Sequence, residues 1–304
     1  MHIFITFCAR FGHGHMDNNV IIKAENINYT YSAGTPFVKT ALSDINFEIE
    51  KGSFIGIIGH TGSGKSTLVQ HLNGLIKPQT GKIYFKGKDI WEQPKKINEI
   101  RFKIGLVFQY PEHQLFDETV KSDIGFGPKN MGLSENEINK RVTEAAEIVG
   151  LPEELLKKSP FELSGGEQRR AALAGILAMK PSVLVLDEPT AALDPKGRDG
   201  ILKRLLGYQN KYKTTVILVS HSMDDIAKVA EKVMVLNKGR IAMFDTVANV
   251  FSKGDELSKI GLNVPEITNI FKKLSKNGIK TNENVYTVKD GAEALLPLLT
   301  GGKQ

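Results

Sequence analysis

The sequence predicts an α/β fold. A parallel sheet is expected with an antiparallel β subdomain ahead of it, a helical insertion within it and a small C-terminal extension behind it. Three observations carry this. Continuous apolar runs at Val183–Leu186 and Val216–Val219 read as strands buried on both faces, and the helical stretch 199–208 between them completes a βαβ unit. A third apolar run, Phe54–Ile58, enters a glycine-rich stretch and then a helix at 68–73. Upstream, 20–31 and 41–49 alternate apolar and polar residues as half-buried antiparallel strands do.

Composition sets the outer limits. With 304 residues, 41% of them hydrophobic and 24% charged, there is enough chain for one large domain and an appendage. No apolar run approaches the ~18–20 residues needed to span a bilayer, so the chain reads as soluble or peripheral. The single cysteine, Cys8, excludes an intramolecular disulfide framework and fits a reducing cytosol. The net charge of +6 comes from lysines scattered among acids, too diffuse for a nucleic-acid surface.

Residues 1–16 look foreign to the fold. Met1–Phe7 is apolar but short, and Gly12–Met16 resembles a tag junction or an upstream start. This leader is expected to be disordered, and His13 and His15 are not read as metal ligands. The main domain is expected over 17–250. Val20–Ile27 begins it as a strand, and Asn28–Tyr31 continues like an edge strand. Residues 32–36 form a loop, 41–49 a second strand, and Lys51-Gly52 turns into the 54–58 strand. The stretch 81–90 reads as a hairpin and 104–109 as a strand ending in Gln109. A helical insertion spans about 112–178, with Ser134-Glu135-Asn136-Glu137 as a capping box and Ile138, Val142, Ala145 and Val149 at helical spacing. Strands at 232–236 and 240–244, joined by a turn at 237–239, close the core. The extension, 251–304, places Ile267, Ile270, Phe271 and Leu274 on one helical face, with Pro265 in its first turn. A second short helix, capped by Asp290–Glu293, carries Leu295, Leu296, Leu298 and Leu299.

The glycine-rich stretch is Gly59-His60-Thr61-Gly62-Ser63-Gly64-Lys65-Ser66-Thr67, which fits G-x-x-x-x-G-K-[ST] between a strand and a helix. Its glycines let backbone N–H groups turn inward around phosphate oxygens, and the helix N-terminus adds partial positive charge. Lys65 is placed to reach the β- and γ-phosphates and the Ser66 hydroxyl to hold Mg²⁺. The run 182–186 ends in Asp187 and Glu188. Asp187 is placed to hold Mg²⁺ through water, and Glu188 to polarise an attacking water, at the strand edge where such ligands bind.

Leu163–Arg170 is the most diagnostic stretch. Ser164 can cap a helix reaching Met179, with Glu167 as its capping-box partner. Gly165 and Gly166 leave the helix start bare for an anion, although each glycine costs roughly 0.8–1 kcal/mol against alanine inside a helix. One phosphate loop already exists, so this second anion-binding start makes sense facing the γ-phosphate held by another subunit. That implies a head-to-tail dimer with ATP at its interface.

LSGGEQRR resembles the signature motif of ATP-binding-cassette (ABC) ATPases, a family of P-loop nucleotidases, whose usual form is LSGGQ; Glu167 is the one departure. Gln109 is similar to their Q-loop residue, Ala191-Ala192-Leu193-Asp194 to their D-loop, and His221 to their switch histidine. Tyr31, preferred over Tyr29 by position, matches the aromatic that stacks on adenine. These motifs cover roughly 20–245 in the family's order. The stretches Phe108–Val120 and Asp123–Asn130 further resemble the ATPase subunits of energy-coupling-factor (ECF) transporters, and Pro111–Phe116 the second of their two paralogous ATPases.

The resemblance implies two ATPase subunits, expected to differ, closing over two ATP molecules. Lys65, Ser66, Gln109 and Asp187 would hold phosphates and Mg²⁺, with Ser66, Gln109 and Asp187 around the metal. Glu188, His221 and Gln109 would act in hydrolysis. Ser164, Gly165, Gly166 and Glu167 would meet the partner subunit's ATP. It also implies a transmembrane coupling subunit, docking near 109–119 on Tyr110, Leu115 and Phe116, and a separate substrate-binding membrane protein. The chain would then sit on the cytoplasmic face of the cell membrane and power uptake of a vitamin or related micronutrient. The alternatives are the ATPase of a conventional ABC importer and a non-transport ABC ATPase.

Overall fold

The computed structural model describes residues 19–191, 193–279, 281 and 284–299. The leader 1–16 and Ala192 lie outside the described residues, as do the side chains of Leu298 and Leu299.

Strand β1 (Val20–Tyr31) pairs antiparallel with β2 (Lys39–Glu50), and β3 (Phe54–Ile58) then enters the core. Helix α1 (Lys65–Leu72) follows the glycine-rich loop. The expected hairpin is β4 (Thr80–Phe85) and β5 (Lys88–Asp89). Helix α2 (Ile97–Lys103) leads into β6 (Ile104–Val107). The insertion contains α3 (Val120–Asn130), α4 (Glu135–Val149) and α5 (Gly165–Ala178). Ser134 caps α4 by accepting the Glu137 N–H, as the sequence predicts. The core resumes with β7 (Val183–Asp187), α6 (Pro195–Tyr212), β8 (Thr215–Val219), α7 (Met223–Val229), β9 (Lys232–Asn237) and β10 (Arg240–Thr246).

Two sheets result. The six-stranded one has the order β10-β9-β3-β8-β7-β6, parallel except for β10. The antiparallel one has the order β2-β1-β4-β5. β3 therefore sits inside its sheet, flanked by β8 and β9. Its neighbours explain the continuous apolar runs. Phe54, Ile58, Leu184, Leu186, Val216 and Leu218 enter the core under the helices. Ile55, Ile57, Val183, Val185, Ile217 and Val219 enter the core shared with the antiparallel sheet. With apolar packing on both faces there is no polar side to alternate with. Close helix contact needs small residues too: a Cβ at Gly56 would come within 2.6 Å of Ile226 on α7, and one at Gly105 within 2.7 Å of Ile176 on α5.

Four expectations are corrected. First, 28–31 is not a separate edge strand. β1 runs unbroken to Tyr31 and lies between β2 and β4. Where β4 pairing stops at Asn28, the Gln79 side chain continues the ladder, accepting the Thr30 N–H at 2.9 Å and donating to the Thr30 carbonyl at 2.8 Å. Second, Leu115 is 7% exposed and packs in the helical core, so it is not free contact area. Third, the helix after 199 begins earlier, at Pro195, because Asp194 caps it by accepting the Gly197 N–H. Fourth, Thr287 rather than Asp290 caps the last helix, its hydroxyl accepting the Asp290 N–H.

Helix α8 (Val247–Phe251) leads into the extension, which contains α9 (Gly254–Lys259), α10 (Glu266–Lys276) and α11 (Val288–Leu299). Its first part joins the main core through Val250, Phe251, Leu257, Leu262 and Val264. Ile267 and Phe271 instead make a satellite core with Val285, Ala294 and Leu295. Ile270 and Leu296 face solvent.

Candidate functional site

The loop 59–64 links the end of β3 to α1 at the C-terminal edge of the parallel strands. Its shape demands glycine. Gly62 and Gly64 have φ of +79° and +106°, and a Cβ at Gly64 would lie 2.5 Å from the Ala41 carbonyl. Lys65 folds back over the loop, donating to the Gly59 carbonyl at 2.7 Å and the His60 carbonyl at 3.1 Å. An ammonium has three donors, so one remains for a ligand.

A cleft of about 240 Å³ opens beside this loop. Tyr31, Lys39, Thr61, Lys65, Ser66, Thr67, Gln109, Glu188 and His221 contribute to its lining. The structure thus brings together side chains from β1, the glycine-rich loop and the ends of β6, β7 and β8. Tyr31 is 38% exposed, with its hydroxyl 3.3 Å from Thr67 Oγ1. Tyr29 is half-buried and packs edge-on against Tyr31 and His71, which leaves Tyr31 as the available ring.

Gly59, His60 and Ser63 do not line the cleft. The His60 ring turns away, with Nε2 3.1 Å from Asn237 Oδ1. Ser63 is fully buried. These residues shape the loop rather than present side chains to a ligand.

Glu188 is the hub of the acidic end. Oε1 lies 2.8 Å from His221 Nε2, and Oε2 accepts from Gln109 Nε2 at 3.3 Å. Its backbone is left-handed, φ +52°, a conformation that a non-glycine residue holds only under external constraint. The constraint is visible: its N–H donates to the Val219 carbonyl, and its carbonyl accepts the Ala191 N–H. Behind it, Thr190 donates to the buried Asp225 carboxylate at 3.1 Å. This anchor escaped the sequence reading, because nothing in the spacing of 190 and 225 marks them as partners.

Asp187 is 6% exposed. Burial pushes its carboxyl above the ordinary value, against the pull of a Ser66 hydrogen bond and of the Lys65 and His221 charges. Burial likewise lowers the Lys65 ammonium, against the attraction of Glu188 and Asp187. Both charged forms are disfavoured by burial, so a cation beside Asp187 and a polyanion beside Lys65 would each offset the desolvation. The Ser66 hydroxyl, the Asp187 carboxylate and the Gln109 carbonyl oxygen are hard oxygen donors. That set fits Mg²⁺.

Ser164–Glu167 lie apart from this cleft. The Glu167 carboxylate accepts both the Ser164 N–H at 2.8 Å and the Ser164 hydroxyl at 2.6 Å, which holds it below the ordinary carboxylate range. Gly166 borders a different cavity, of about 330 Å³, with Leu193, Asp194 and Lys196. One chain therefore does not bring its own signature stretch to its own phosphate loop.

Between the two lies Arg169, missed by the sequence reading beyond its place in the motif. It is 5% exposed. Nη2 and Nε bind the Glu112 carboxylate at 2.9 and 3.1 Å, and Nη1 donates to the Ala191 carbonyl at 2.5 Å. One side chain thus joins the loop after Gln109, the helix after Ser164 and the loop after Glu188. The sequence offered one hint, an acid in a loop that is partly apolar.

Known proteins are similar to this chain. The ABC transporter family matches residues 42–191. The energy-coupling factor transporter ATP-binding protein EcfA2 of Caldanaerobacter subterraneus subsp. tengcongensis is 54% identical over 282 residues, 93% of this chain and 99% of that protein. The protein of the same name from Bacillus subtilis is 47% identical over 273 residues, 88% of this chain and 99% of that protein. Among solved structures, cbiO1 of Clostridium perfringens, part of the ABC transporter complex cbiONQ, superposes with a TM-score of 0.70 at 41% identity. That match covers 80% of this chain and 94% of cbiO1. A dimeric ATP-binding cassette in a post-hydrolysis state with ADP and Pi superposes with a TM-score of 0.68 at 30% identity, covering 75% of this chain and 99% of that one.

Proposed function

Because the chain belongs to the ATP-binding subunits of energy-coupling-factor transporters, within the ABC ATPases that hydrolyse ATP to power transport, we propose that it drives import of a vitamin or related micronutrient. It would do so from the cytoplasmic face of the membrane, paired with a second, different ATPase. No described helix is long and apolar enough to cross a bilayer. In this reading a transmembrane coupling subunit and a separate substrate-binding membrane protein complete the assembly. The solved cassette that forms a dimer with ADP and Pi supports pairing across the nucleotide.

In this reading the adenine stacks on Tyr31, and the loop N–H groups with Lys65 hold the phosphates. Ser66, Asp187 and Gln109 would hold Mg²⁺, which would supply charge neutralisation for the phosphates. Glu188 orients the attacking water and accepts its proton, while Gln109 and His221 fix its two carboxylate oxygens. His221 also meets the γ-phosphate. Ser164, Gly165, Gly166 and Glu167 close over the ATP of the second ATPase, with the Glu167 carboxylate steering the Ser164 hydroxyl. Catalysis is positioning and electrostatic stabilisation, complete only when two subunits meet.

The observation that carries this reading is the Glu188 carboxylate held between Gln109 and His221 at the sheet edge. The test is Glu188→Gln in the assembled transporter. ATP binding should persist while hydrolysis falls by two to four orders of magnitude, the usual worth of a positioned base. Near-wild-type turnover would remove Glu188 from the reaction.

The docking surface is corrected by burial. With Leu115 inside the core, the exposed aromatic patch is Tyr110, Phe116 and Phe126, the last two edge-to-face at 5.0 Å. This patch is our proposed seat for the coupling subunit.

A further inference from the structure

We propose that Lys39 is an additional nucleotide-binding residue, whose ammonium sits over the α- and β-phosphates of the bound nucleotide. The proposal rests on the assignment of the cleft as the ATP site and deepens it.

Lys39 opens β2 and pairs in register with Tyr31, the last residue of β1. That pairing sends both side chains to the end of the antiparallel sheet that faces the phosphate loop, and both line the cleft. Across from Lys39 is Gly62, at the bend of the loop. A Cβ built on Gly62 would lie 3.9 Å from Lys39 Nζ. The ammonium is therefore poised above the bend, while Lys65 lies beneath it, bonded to the loop's own carbonyls.

Lys39 is also uncommitted. Among the described residues it has neither an ion pair nor a side-chain hydrogen bond, and it is exposed. Other lysines of the two sheets do pair with acids: Lys23 with Glu25 and Glu48, Lys232 with Glu50. The acid in the cleft lining, Glu188, is held by Gln109 and His221. An unpaired cation facing a phosphate loop is matched by a polyanion.

Its place along the nucleotide follows from the flanking residues. The Tyr31 hydroxyl near Thr67 marks the base end. Lys65, Glu188 and His221 mark the γ end. Lys39 over Gly62 falls between them, so it should serve ATP and ADP alike.

The test uses the full chain with Mg²⁺, measuring equilibrium binding of ATP and of ADP and steady-state hydrolysis in the assembled transporter. Lys39→Ala should weaken both nucleotides about tenfold, the value of one partly solvated charge-assisted contact. Lys39→Glu should weaken them further, and Lys39→Arg should restore them. KM for ATP should rise while kcat moves less than twofold, and the loss should shrink at high salt. Unchanged affinity in Lys39→Ala would overturn the proposal. So would a loss confined to ATP with a fall in kcat, which would put the ammonium at the γ end. Lys65→Ala separates the two levels: if it too binds ATP as the wild type does, the cleft is not the nucleotide site. If it loses ATP while Lys39→Ala does not, the Lys39 assignment alone fails.

Discussion

Removing the Glu112 carboxylate strands a guanidinium inside the protein. Arg169 and Glu112 have side chains only 6% and 16% exposed, with a bidentate contact at 2.9 and 3.1 Å. Breaking such a buried pair from one side leaves an uncompensated charge, which costs about 3–5 kcal/mol. Glu112→Ala should therefore lower unfolding stability by about 3 kcal/mol, at the low end because the Ala191 carbonyl still accepts from Arg169. Arg169→Met should cost less, because the surviving carboxylate is the more exposed partner and can hydrate. The double variant removes both charges, and its loss should fall short of the sum by about 2 kcal/mol. Urea unfolding of the four proteins gives the coupling from the shift in midpoint at constant slope. The coupling also has a pH signature. Burial pushes the Glu112 carboxyl up, but the Arg169 hydrogen bonds, a backbone hydrogen bond and the charges of Arg169 and His113 together hold it below the ordinary range. A depressed carboxyl stabilises the fold above its unfolded value of about 4.3 and stops doing so as pH falls through its folded value. The coupling should thus be full at pH 7 and fade below about pH 4. Additive single losses at pH 7, or a coupling that survives acid, would refute the reasoning.

Two further outcomes follow from surface and charge. Replacing Phe116 and Phe126 with aspartate should leave ATP affinity of the isolated chain unchanged and abolish co-purification with a transmembrane partner; recovery of the intact complex would count against that patch. Glu144 ties α4 to α6 through Lys211 and Tyr212, and to the turn after α5 through Lys180, which with the Tyr212 hydrogen bond depresses its carboxyl to about 2. Its contribution is present above the unfolded value of about 4.3 and lost between there and about pH 2. Glu144→Gln should cost about 1 kcal/mol at pH 7, the value of a solvent-screened pair, and progressively less as pH falls toward and below about 2, as read by denaturant midpoint.

Much of this architecture was legible in the residues, for reasons that differ by element. β3, β7 and β8 announced themselves because strands covered on both faces need uninterrupted apolar sequence. The phosphate loop was legible because its positive-φ turns admit little but glycine. Long-range partners were not. Nothing local in Gln79 says that its amide completes the β1 ladder at Thr30, and nothing in Glu112 names Arg169. Leu115 was misread because an apolar residue in a loop looks the same whether it faces a partner or its own core; only burial separates them. The cap of α11 was misplaced because Thr287 and Asp290 are both good capping types, three residues apart.

The left-handed backbone at Glu188 bears on how such a sequence changes over generations. A residue with a Cβ costs on the order of 1 kcal/mol there, and glycine would relieve that cost. Selection for stability and selection for turnover therefore pull this codon in opposite directions. A copy released from its transport duty should drift at 188 toward glycine or asparagine and gain thermal tolerance as it loses ATP hydrolysis. A glutamate retained at this position is thus a mark that the chain is still being used.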